Sequence, residues 1–71
     1  MKVDAGIAYL ELEIAKVAKT HSPIVDRTFV MGMIEMAEHC ELIDQRKANQ
    51  YRDDLDAVFI KRNNHLKGVA A

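Results

Sequence analysis

Residues 22–40, SPIVDRTFVMGMIEMAEHC, hold every internal methionine of the chain and decide its reading. They predict a helix from Pro23 to about Cys40. Ser22 can accept a hydrogen bond from an orphan amide, and Pro23 suits the first helical position, where no donor is needed. Asp26 falls in the first turn, on the favourable side of the dipole. On a helical wheel of about 100° per residue, Phe29, Val30, Met33, Ile34, Met36, Ala37 and Cys40 form one apolar arc. It spans roughly 160°, against a minimum of about 100° for an amphipathic surface helix. A helix that touches two neighbours needs such an arc. Gly32 sits at its border. Mid-helix glycine costs about 1 kcal/mol relative to alanine, so it marks a close helix approach or a tolerated cost.

Upstream, Val3, Ile7, Leu10, Ile14 and Val17 alternate spacings of four and three, the stripe of a helix in a coiled-coil-like seam. A helix over 4–19 follows, with Asp4 as N-cap or first-turn acid and Glu13–Lys16 as an exposed pair. Downstream, Glu41-Leu42-Ile43-Asp44 reads as a turn. Asp44 is a good N-cap, and Ile43 before it can staple onto Ala48. Ala48, Tyr51, Leu55, Val58 and Phe59 form the inner face of a third helix over 45–63, with Asn63-Asn64 and Gly68 as stop signals. The tail, about 67–71, is expected to fray. The expected fold is all-α and a single small domain, 1–71. It is a three-helix bundle, or an αα-hairpin with an additional N-terminal helix, and dimeric.

The dimer expectation comes from size. A chain of 71 residues buries only about 60% of the surface it exposes when unfolded. Scaffolds this small usually add disulfides, a metal or oligomerisation. Cys40 is the only cysteine, so no disulfide forms within the monomer, and a lone cysteine fits a reducing compartment. The three histidines are scattered and no metal-ligand spacing occurs, so no metal or cofactor is expected. No stretch approaches the roughly 20 apolar residues of a membrane span. The start, Met1-Lys2-Val3-Asp4, does not read as a signal peptide. A cytoplasmic location is the resulting expectation.

Catalysis has little support. Cys40 lies on the apolar arc between Glu38 and Glu41, which discourages a thiolate, and reads as buried and inert. The carboxylates Asp53, Asp54 and Asp56, and Glu35, Glu38 and Glu41, lack a cleft to tune them. Arg52 and Asp56, four apart, look like a solvated ion pair. The chain therefore reads as non-enzymatic, with no small-molecule substrate.

Charge is nearly balanced, 10 basic against 11 acidic residues, but uneven along the chain. Residues 1–44 carry 4 Lys/Arg and 8 Asp/Glu; residues 45–71 carry 6 and 3. One reading is a helix-turn-helix whose third helix meets nucleic acid through Arg46, Asn49, Gln50, Arg52, Lys61 and Arg62. Asp53, Asp54 and Asp56 on the same helix oppose that. The favoured reading rests on apolar residues outside the inner faces: Tyr9, Leu12, Met31 and Ile60. Several such residues on a protein with a small core suggest a second contact surface, and methionine suits adaptable interfaces. The expected function is thus a homodimeric regulatory or accessory protein that binds another protein. A small DNA-binding regulator is the alternative.

Overall fold

A computed structural model describes residues 3–70; Met1, Lys2 and Ala71, the last residue of the tail expected to fray, lie outside the described residues. Three helices follow one another: α1 (Val3–Lys16), which tightens into a 3₁₀ turn over Val17–Lys19, α2 (Pro23–His39) and α3 (Gln45–Ala70). Among the described residues there is no strand.

Side-chain bonds give the order of packing. Tyr51 in α3 donates its hydroxyl to Glu11 in α1 at 2.7 Å, and Arg62 Nε donates to the Thr20 carbonyl at 2.8 Å. Positions 11 to 20 thus advance with positions 51 to 62, so α1 and α3 run parallel. Arg52 donates to Glu35 and Glu38 of α2, while Arg27, earlier in α2, donates to Asp56, later in α3. Hence α2 runs antiparallel to α3, and the arrangement is up-down-up.

The start of α2 departs in detail from expectation. Pro23 occupies the first turn and is buried, but the Ser22 side chain makes no capping bond. Thr20 does the polar work instead. Its hydroxyl accepts from the Ser22 amide at 3.1 Å and donates to the Asp26 carboxylate, while the Asp26 amide reaches the Ser22 carbonyl. The end of α2 is a Schellman turn. The Leu42 amide donates to the Ala37 carbonyl and the Glu41 amide to that of Glu38. Glu41 supplies the left-handed residue, at φ 62°. Glycine is the usual occupant, because a side chain there meets its own carbonyl. A glutamate at a helix C-terminus also opposes the dipole. Glu41→Gly is expected to raise stability by about 0.5–1 kcal/mol, the lifted strain exceeding the added freedom of the unfolded chain. A thermal midpoint at or below the parent's contradicts this.

Asp44 caps α3 as expected, accepting from the Lys47 amide at 2.8 Å, and Ile43 and Ala48 both enter the core. The stop signals fail. The helix runs through Asn63, Asn64 and Gly68 to Ala70. Poor helix formers cost at most about 1 kcal/mol each. On this stretch Arg62 is tied to Thr20, and Leu66 is half-buried.

The core is Leu10, Ile14, Val17, Val30, Ile34, Ile43, Ala48, Tyr51 and Leu55. The expected stripe of α1 is therefore buried in its lower half, with Ile7 partly covered and Val3 exposed. In α3 burial ends at Leu55; Val58 and Phe59 are half-buried. The largest correction concerns α2. Val30 and Ile34 are buried and Met33 and Ala37 half-buried, but Phe29, Met36 and Cys40 are exposed. α2 does touch two neighbours, α1 and α3, but it needs only part of the arc to do so. About half of the arc faces outward.

Candidate interaction surface

The outward half of α2 has a regular spacing. Val25, Phe29, Gly32, Met36 and Cys40 succeed one another at four, three, four and four residues, which places them on one side of a helix. Cys40 Sγ lies 3.6 Å from Met36 Sδ, so the stripe continues to the helix end. A Cβ added at Gly32 meets nothing within 4 Å. The close helix approach considered for this glycine is absent from the chain's own packing.

Residues of α1 extend the stripe into a surface. Two clefts run along the α1–α2 junction. Gly6, Tyr9, Met33, Met36 and Leu42 line the first, together with core residues. Glu13, Lys16, Asp26 and Phe29 line the second. Neither takes a residue from α3, so this face points away from it. Tyr9, Leu12, Val25, Phe29 and Met36 are each more than half exposed. Leu42, held at the Schellman turn, closes one end.

Four residues were expected to form an interface. Tyr9 and Leu12 lie exposed on α1. Met31 does not face outward: it is half-buried and packs against the core, because the polar residues around it on the wheel face α3 rather than solvent. Ile60 is exposed, but on α3, away from the α1–α2 face. Val25, Phe29 and Met36 were missed as surface residues. The exposed side of an apolar arc carries no local signal of its own.

The six nucleic-acid candidates divide in a similar way. Arg52 donates to Asn49 at 2.9 Å, Glu35 at 3.1 Å and Glu38 at 2.7 Å, so it clamps α2 and leaves Asp56 to Arg27. The expected local Arg52–Asp56 pair does not form. Arg27 also lies over the Phe59 ring, 5.4 Å from its centre. Arg62 is spent on Thr20. Arg46, Asn49, Gln50 and Lys61 remain exposed. Antiparallel packing of α2 along α3 also differs from the roughly 90–120° crossing of a helix-turn-helix.

Two buried or tied groups complete the electrostatics. Tyr51 is held by Glu11, and burial, reinforced by that hydrogen bond, pushes its phenol up to about 12. Lys16 pairs with Glu13 at 3.1 Å, as its spacing implied. Among the described residues no three His, Cys, Asp or Glu side chains converge as a metal site would need. No described helix is long and apolar enough to cross a membrane. Comparison with protein-family models, curated proteins and solved structures finds no match to this chain.

Proposed function

We propose that the chain is a helical protein-interaction module that self-associates through the α1–α2 face and, as a homodimer, engages another protein. One observation carries the reading: Tyr9, Leu12, Val25, Phe29 and Met36 stand exposed on a face that α3 leaves uncovered. Contiguous exposed apolar surface on a small protein marks a contact site. Burying it would add to a core that is marginal at this length. The module needs no catalytic group. A cytoplasmic setting suits an exposed lone thiol, which persists where thiols are kept reduced.

Sedimentation equilibrium at micromolar concentration is expected to give a particle of twice the 8.0 kDa chain mass. Stability should then rise with concentration. Leu12→Lys is expected to shift the particle to the monomer with helicity retained, since Leu12 is outside the core. A mass of 8.0 kDa at every concentration of the parent overturns self-association.

A further inference from the structure

Building on that self-association, we propose that two copies pair antiparallel across the α1–α2 face, about a twofold axis that passes beside Gly32. The exposed stripe is symmetric about that point. Phe29 and Met36 lie equally far on either side of the Gly32–Met33 bond, and so do Val25 and Cys40. The first helix repeats the symmetry at the same level. Tyr9 shares a cleft with Met33 and Met36, and Lys16 shares the other with Asp26 and Phe29. The point midway between Tyr9 and Leu12 therefore stands level with Gly32.

A twofold interface makes one patch meet its own copy. Rotation about this axis sets Phe29 against Met36 of the second copy, Tyr9 against Leu12, and Val25 against Cys40. Each pairing occurs twice, and no exposed apolar side chain of the stripe is left over. Phenylalanine against methionine is a favourable sulfur–aromatic contact. Gly32 lies at the axis, where the absence of a side chain lets the two α2 backbones come close. Its Cβ position is open in the single chain, so a neighbour has room there.

Charge favours the same orientation. Asp4 and Glu41 are exposed at one end of the face, while at the other Lys16 and Lys19 stand beside Asp26 and Glu13, the latter paired with Lys16. Antiparallel copies set the acidic end against this balanced one, whereas parallel copies stack the two acidic ends on each other.

The experiment is oxidation with diamide of the full chain carrying Val25→Cys, which retains Cys40, alongside sedimentation of the parent. A disulfide needs Cα atoms within about 7 Å. Residues 25 and 40 of one helix are about 22 Å apart, so any bridge between them joins two copies. The expected result is a covalent dimer of the variant, with peptide mapping linking position 25 to position 40. The parent should remain uncrosslinked, because the two Cys40 thiols lie at opposite ends. Efficient Cys40–Cys40 bridging in the parent overturns the antiparallel arrangement in favour of a parallel one. A sedimenting dimer whose variant fails to crosslink also overturns it, while self-association stands. A parent that sediments as a monomer overturns both.

Discussion

Leu55→Asp is expected to abolish cooperative unfolding and leave a chain with little fixed tertiary structure. Leu55 is fully buried, in the part of α3 that faces both α1 and α2. A carboxylate there loses its water and finds no partner. Among the described residues no buried polar or charged side chain exists to receive it. The cost of an unpaired buried charge is several kcal/mol, against a total stability of about 5–15 kcal/mol for ordinary domains. Met33→Asp should be milder, because Met33 is half-buried beside the open cleft and the new charge can turn toward water. Val25→Asp, at an exposed position, should leave the monomer folded. Circular dichroism on heating orders the three. A Leu55→Asp transition near the parent midpoint would mean that the core is misassigned.

Alkaline loss of stability is the second large effect, and Tyr51 is its source. Its folded pKa, about 12, exceeds the ordinary value of about 10 because burial and the Glu11 carboxylate disfavour the phenolate. The unfolded chain therefore releases this proton first. The stabilisation is fully present below about pH 10 and disappears as pH rises through about 12, a loss on the order of 2 kcal/mol. Tyr51→Phe removes both the hydrogen bond and the titration. It should cost about 1 kcal/mol at neutral pH, yet flatten the decline between pH 10 and 12 relative to the parent. Denaturant titrations of both proteins across that range read the difference. Parallel declines would show that other groups carry the alkaline instability.

The start of α2 at Pro23 and the cap at Asp44 were legible because each depends on chemistry confined to neighbouring residues. So were the buried positions Leu10, Ile14, Val30, Ile34, Ala48, Tyr51 and Leu55, since periodicity marks an apolar side. The fate of Phe29 and Met36 was not legible. A wheel measures how wide the apolar arc is, but only packing decides which part is covered. Arg52 misled for a related reason. Its local partner Asp56 competes with Glu35 and Glu38 on another helix, and tertiary geometry wins. Thr20 was overlooked as an anchor because the carbonyl it offers to Arg62 is main-chain, and any residue has one. Of the exposed apolar side chains on the α1–α2 side, Tyr9 and Leu12 were singled out from the sequence alone. Their neighbours on α2 appeared only once α3 was seen to lie on the other side.

The two connectors leave almost no slack, and this bears on which changes of length the chain can absorb. Three residues, Thr20–Ser22, join the end of the 3₁₀ turn to α2, and five, Cys40–Asp44, join α2 to α3. Each is pinned by hydrogen bonds at both ends. One residue inserted within a helix turns everything beyond it by about 100°. Placed between Ala48 and Leu55, it would carry Leu55 off the core side and swing a charged neighbour inward. Past Leu55, where full burial has ended, the same insertion displaces only half-covered side chains. Changes of helix length are thus confined by geometry to the first turn of α1, ahead of its buried residues, and to the final turns of α3, while the count of residues between Leu10 and Leu55 is fixed.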